Sequence, residues 1–178
     1  MRELEGGEEG GGVMRLTLGA DPGLTGAVAV LVDGQYHDVL DMPTVGRGKA
    51  GRQSVNAAAL SQWLRELVAL YPGADVVAVV EEVGSMPGNG SVSMFRFGQS
   101  CGVLAGVLAA LRIPVVYVTP QRWKRHHGLL GADKDAARGK AADLYPDAPL
   151  ARKRDVGRAD AILMARWGWN TEAHLEVA

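Results

Sequence analysis

Three acidic residues stand where the sequence changes character. Asp21 follows the apolar run 16–20, Glu81 follows the β-branched run 76–80, and Asp160 interrupts the apolar stretch 159–165. Carboxylates gathered from the ends of two buried strands and one flanking helix repel one another unless they are protonated or bridged by divalent cations. Two such cations about 4 Å apart activate a water and stabilise the leaving oxygen in phosphodiester cleavage, so no protein nucleophile is needed. Taken singly, each acid has a plainer role. Asp21-Pro22-Gly23 reads as an ordinary turn whose Asp bonds its own backbone. Glu81 and Glu82 are adjacent strand residues that point to opposite faces, so at most one of them aims into a site. Asp160 could be satisfied by Arg158 or by a neighbouring helix. Their joint placement favours a shared site.

Charge supports an anionic partner once it is divided along the chain. The formal net charge of −1 includes an acidic start, Glu3, Glu5, Glu8 and Glu9 against Arg2, so residues 13–178 carry +2. Residues 121–158 hold ten Lys or Arg against five Asp, a local +5. A salt-bridged helical surface is the plainer reading of that region, and a nucleic-acid face the functional one.

The elements that must position these residues follow from periodicity and turn chemistry. With 178 residues, 47% of them hydrophobic, the chain is long enough to bury one substantial core. Residues 1–12 combine Glu and Gly without period and read as a disordered leader, with Met14 a possible functional start, and residues 13–178 as a single domain. Apolar runs at 13–20, 27–32 and 36–41, broken by Asp21-Pro22-Gly23 and Asp33-Gly34, predict a three-stranded meander. Gly46 to Gly51, with Arg47, Lys49 and Arg52, reads as a flexible basic loop. Asn56 caps a helix with Leu60, Trp63, Leu64, Leu67 and Leu70 on one face. A doubly buried strand over 76–80 follows, then a helix over 98–112, a strand over 113–119, and helices near 120–127, 132–145 and 157–169. The order β-β-β-α-β-α-β-α predicts an α/β fold, a mixed sheet flanked by helices. Apolar runs stay below membrane length and no basic-then-apolar signal opens the chain, so a cytoplasmic protein without a membrane partner is expected. The single Cys101 excludes an internal disulfide and a multi-cysteine zinc site, and reads as a small core residue.

In this order the residues resemble the RuvC-type Holliday-junction resolvases of the RNase H-like superfamily, in particular their bacteriophage branch. The resemblance covers Met14 to Gly168 and rests on Leu18-Gly19-Ala20-Asp21-Pro22-Gly23 with Thr25-Gly26, Val80-Glu81-Glu82-Val83 before Met86-Pro87-Gly88, and Phe95-Arg96-Phe97-Gly98-Gln99 with Gly102. Thr119-Pro120 with Trp123-Lys124, Lys134 before a helix, Tyr145-Pro146 and Gly157-Arg158-Ala159-Asp160-Ala161 complete it. It implies an RNase H-like mixed five-stranded sheet and a homodimer that binds four-way or other branched DNA. Symmetric paired nicks would be made with Mg²⁺ or Mn²⁺, two ions per site, inside a bacterial host if the source is a phage.

Carried over by position, Asp21 is the central bridging carboxylate, Glu81 the second ligand and Asp160 the third. Many family members hold a fourth acid or a histidine three positions before the last aspartate. That place here is Gly157, so Asp155 is the substitute and Glu82 the reserve. Lys124 and Lys134 match basic positions near the active site and the junction backbone. Arg152, Lys153, Arg154 and Arg158 lead into the metal helix, and with Arg47, Lys49 and Arg52 they form a discontinuous basic surface. The family's stacking aromatic falls near Gly84, leaving Phe95 and Met86 as replacements or as packing residues. Gly98, Gly102 and Gly106, with Ala105 and Ala109, leave one helix face small, for a dimer contact or for packing on the chain's own sheet. Trp63 and Trp167 read as core, Trp123 as packing or base-stacking, and His126 and His127 have no metal-ligand spacing. The rival function is a branched-DNA-binding module that does not cut. An actin-like or sugar-kinase ATPase needs two lobes and more chain than this.

Overall fold

The computed structural model describes residues 12–48, 52–82, 84, 90–171 and 173, with the side chains of Arg47 and Lys134 left aside. Residues 1–11 of the expected 1–12 leader, Lys49 and the Met86-Pro87-Gly88 motif lie outside the described residues. Strands β1 (Arg15–Ala20), β2 (Ala27–Val32) and β3 (Gln35–Asp41) form the expected meander. Strands β6 (Asp75–Glu81) and β7 (Val115–Val118) join β1 in parallel, giving the five-stranded order β3-β2-β1-β6-β7. The mixed sheet flanked by helices is the architecture the sequence predicted.

Period two divides the core into two faces. Leu16, Leu18 and Ala20 of β1, with Ala78 and Val80 of β6, pack under α1 (Ala57–Ala69) and α2 (Ser91–Ala110) through Leu60, Leu64, Leu104 and Leu108. Val77 and Val79 face the other way, toward α3 (Pro120–His126), α4 (Lys134–Leu144) and α5 (Val156–Asn170). Helix α5 lies directly against β1. A Cβ at Gly19 would run into the Ala161 carbonyl and the Ala165 amide, so only glycine lets the helix backbone sit this close. Ala159, Ile162, Leu163, Met164 and Ala165 are all fully buried there. Trp167 is 2% exposed and core, and Trp63 packs at the margin of the opposite face. Asn56 caps α1 as expected, its side-chain oxygen accepting the Ala59 N–H at 3.2 Å.

Two elements differ from the sequence reading. The basic loop is an antiparallel ribbon of β4 (Thr44–Arg47) and β5 (Arg52–Val55), with Arg47 opposite Arg52. Helix α2 begins at Ser91, seven residues before the expected start at Gly98. Its 20 residues make it long and apolar enough to meet the length and composition of a membrane span. Leu104, Val107 and Leu108 nevertheless pack on the sheet. The opposite face of α2 is open: a Cβ at Gly98, Gly102 or Gly106 would meet nothing within 4 Å. Packing of the small-residue face on the chain's own sheet is thereby overturned.

Candidate active site

Register alone brings Asp21 and Glu81 together. Parallel pairing sets Ala20 opposite Val80, so Asp21 and Glu81 occupy the next rung. Both continue the odd-numbered face that looks toward α5, while Glu82 turns to solvent and is exposed. Helix α5, seated on Gly19, carries Asp160 to the same end of the sheet. Of the acidic pair after β6, Glu81 is thus the member at the site.

The Asp21 turn is also the ordinary turn that its sequence suggested. Its Oδ1 accepts the Gly23 N–H at 2.9 Å, and its own N–H donates to the Ala27 carbonyl at 3.0 Å. A side chain at Gly26 would stand 2.7 Å from the Asp21 carboxyl carbon, so glycine keeps that space clear. Glu81 is held by a residue whose part the sequence did not show. Trp123, fully buried on α3, donates its indole N–H to Glu81 Oε1 at 3.0 Å. Base stacking by Trp123 is excluded by that burial. Lys124 rests its ammonium 5.2 Å from the Trp123 ring centroid, and its charge acts on both Glu81 and Asp160.

The electrostatics are those of crowded anions. Burial pushes the Asp21 carboxyl up, against the Gly23 hydrogen bond. Burial likewise raises Glu81, opposed by the Trp123 hydrogen bond and reinforced by the charge of Asp21. Asp160 rises to about 7, through burial first and then through Asp21 and Glu81, with Lys124 pulling the other way. Cys101, half-buried on α2, is raised by burial first and then by the charges of Asp21 and Glu81. Among the described residues no group of three or more His, Cys, Asp or Glu side chains is placed to hold a metal ion. By their chemistry the three carboxylates are hard oxygen donors of the kind Mg²⁺ and Mn²⁺ take, held partly out of water where a cation would relieve their repulsion. Asp21 and Glu81 each give one oxygen to a protein N–H, and the donor chemistry of the three acids suits such an ion.

The structure keeps Asp155 apart from these three. It ends the 3₁₀ turn Lys153–Asp155 and is 3% exposed. The Arg152 guanidinium grips it at 2.7 and 3.0 Å and holds its carboxyl below the usual range. Asp155 precedes α5 and turns its side chain back onto Arg152. Gly157 has a structural reason of its own. A Cβ there would collide with the Thr25 carbonyl and stand 3.0 Å from the Gly26 Cα, because the start of α5 leans on the turn that shapes Asp21.

The basic residues divide in the same way. Arg158 is bidentate with Asp41 at the end of β3, one bond measuring 2.6 Å, and it bonds the Pro149 carbonyl at 3.2 Å. Its guanidinium therefore braces α5 against the sheet instead of standing open to phosphate. Arg52 and Arg154 are exposed. Lys134 opens α4 behind the Asp133 cap, and Arg47 sits on the ribbon opposite Arg52. Phe95 is 74% exposed, so it is no packing residue of this chain.

The chain resembles known proteins in sequence and in shape. No protein-family model matches it. Over 126 residues, 66% of its length, it is 35% identical to the Holliday junction resolvase MOC1, chloroplastic, of Chlamydomonas reinhardtii, of which it spans 14%. RuvC of T. thermophilus, solved in complex with a Holliday junction substrate, superposes with a TM-score of 0.58 over 91% of this chain and 96% of that one, at 14% identity. The fold is that of RuvC. A second structure of the same Thermus thermophilus protein gives a TM-score of 0.52 over 89% of this chain and 96% of that one, at 16% identity. The RuvC fold accounts for why β1, β6 and α5 converge at one end of the sheet.

Proposed function

We propose that this protein is a metal-dependent, structure-selective DNA endonuclease that resolves four-way junctions by paired nicking. The observation that carries the reading is the meeting of Asp21, Glu81 and Asp160 at one end of a RuvC-like sheet, with Lys124 beside them. The 35% identity to a Holliday junction resolvase supports the choice of substrate. Asp21, Glu81 and Asp160 would hold Mg²⁺ or Mn²⁺, which when bound supplies positive charge at the phosphate and Lewis acidity toward the attacking water. Trp123 fixes the Glu81 carboxylate, and the Gly23 N–H with the bare Gly26 fixes that of Asp21. Lys124 would offer its cation to the phosphate, and Lys134, Arg52 and Arg154 would hold flanking backbone. Water is the nucleophile: its oxygen bonds to phosphorus as the bond to one deoxyribose oxygen breaks.

Paired nicks need two sites, and the open face of α2 supports a second copy of the chain as the other half. Phe95, Gly98, Gly102 and Gly106 fall at i, i+3, i+7 and i+11, one side of the helix. Their small size lets a partner backbone approach, and the exposed Phe95 supplies apolar area to bury.

The test is cleavage of a labelled synthetic four-way junction beside linear duplex, with Mg²⁺, Mn²⁺ or chelator. The wild type is expected to make symmetric nicks in the junction alone, only with metal. Asp21→Asn is expected to lose cleavage while binding the junction as tightly or more so, because one ligand and one repulsive charge are gone. Binding without cutting under every metal condition would establish the non-catalytic module instead.

A further inference from the structure

The short helix α3 carries the side chains that act on the acids from outside their own elements: Trp123 on Glu81, and Lys124 on Glu81 and Asp160. Its seven residues are too few to hold a helix in place by themselves, so its position is set by what its side chains grip. His127 closes α3, one turn beyond Trp123 and Lys124, and is half-buried. Its Nε2 lies 2.8 Å from the Leu163 carbonyl oxygen, and Leu163 stands one turn beyond Asp160 on α5. The bond therefore joins the turn that follows Lys124 to the turn that follows Asp160.

The partner fixes the state of the ring. A carbonyl oxygen only accepts, so Nε2 carries the hydrogen and donates it. Burial first, and then the charges of His126, Lys140 and Arg166, bring the imidazole pKa down to about 4 against the pull of the Leu163 bond. At neutral pH the ring is thus an uncharged donor. Two other ties join α3 to α5: Arg122 lies 5.0 Å from the Trp167 ring centroid, and His126 Nε2 lies 3.0 Å from the Asn170 amide nitrogen. Arg122, His126 and Asn170 are exposed, so water competes at both, whereas Leu163 is fully buried.

Resting on the endonuclease reading, we propose that His127 is a positioning residue: through its bond to Leu163 it sets the register of α3 against α5, and with it the place of Lys124 beside Asp160. Lys124 and Asp160 line one cleft, so a slide of α3 along α5 changes the distance between the cation and a phosphate held at the acids. Misplacing reacting groups by about 1 Å costs on the order of 100-fold in rate. Binding draws on many phosphate contacts and loses little. His127 thus governs the rate of cleavage and not the affinity for the junction.

The experiment compares wild type with His127→Gln, whose amide carries an N–H to the place of Nε2, and His127→Phe, which keeps a ring without a donor. Four-way junction affinity is measured in chelator, and single-turnover cleavage in Mg²⁺ well below the melting temperature of each protein. The tautomer and titration of His127 are followed by NMR without metal. His127 is expected as the Nε2–H tautomer, uncharged down to about pH 5. His127→Phe is expected to cleave about 10- to 100-fold more slowly with affinity retained, and His127→Gln to recover most of the rate. A bond that only stabilises the fold would lower the melting temperature of His127→Phe and leave its rate at that of wild type. Equal rates in those two proteins, a rate that Gln does not recover, or a His127 that titrates near its ordinary 6.5 overturns the positioning role and leaves the endonuclease reading standing. Loss of the folded state in both variants does the same, since the bond would then be a condition of folding. A wild type that cuts no junction overturns both.

Discussion

Burial, reinforced by the charges of Asp21 and Glu81, lifts the Asp160 carboxyl from its ordinary 3.8 to about 7, and this ties the site to the stability of the metal-free fold. A carboxyl raised on folding keeps a proton that the unfolded chain has released. Its ionisation is therefore a cost to the folded state that grows as pH climbs from about 4 to about 7 and stays level above. In chelator, the melting temperature is expected to fall across that window. Asp160→Asn is expected to flatten the fall and to melt higher than wild type at pH 8; parallel pH profiles for the two proteins would refute the assignment. In the proposed reaction Trp123 acts through Glu81, as a positioning residue. Trp123→Phe keeps most of the ring and removes the N–H, which is expected to lower cleavage by about 10- to 100-fold while costing about 1 kcal/mol of stability. An unchanged cleavage rate would reduce the contact to packing. The three acids were legible because each breaks an apolar run. The part of Trp123 was not, since a tryptophan next to Lys124 and Arg125 looks the same whether it packs, stacks or donates to a carboxylate 42 residues away.

At the scale of elements, strands and helices with a full period were legible within a residue or two, and those whose composition hides the period were not. Strand β2 is the predicted 27–32 run, residue for residue. The β4–β5 ribbon escaped because its Gly and Arg content reads as loop, and it is held by ladder bonds between two short strands instead of by a buried apolar face. The first turns of α2 escaped because Ser91–Phe97 shows no stripe against the sheet. Sequence position alone puts Asp155 close before Asp160, and only the 3₁₀ turn that hands it to Arg152 separates the two. The direction of α5 decides what a carboxylate at position 157 would do. The ligand that the resemblance places at position 157 invites Gly157→Asp as a repair, yet any Cβ there meets the Thr25 carbonyl and pushes α5 off the turn that carries Asp21. Gly157→Asp is expected to lose about 1–3 kcal/mol by overpacking and to cleave more slowly than wild type. Thermal melts and junction cleavage measure both, and a faster enzyme would mean that the turn yields and the carboxylate ligates.

For the whole molecule, the proposed dimer would place the open face of α2 between two active sites. A helix that buries Leu104 and Leu108 on the sheet while exposing Phe95 at 74% and a run of bare glycines carries more apolar surface than its own fold covers. In a two-fold contact the same patch serves both chains, so the glycine channel of one copy can receive the Phe95 of the other. Such a pair would fix the separation of two catalytic ends and make the second nick follow the first within one binding event. A bulky cation in the channel should break this without touching the acids. Gly102→Arg lies on the solvent side, where its Cβ meets nothing within 4 Å, so the monomer fold is expected to survive. Sedimentation should give a dimer for the wild type and a monomer for the variant. On a supercoiled cruciform substrate the variant should release singly nicked circles, where the wild type gives the doubly cut linear product. A variant that remains dimeric and still linearises the cruciform would move the interface to another face and leave Phe95 and the glycines of α2 without a partner of this kind.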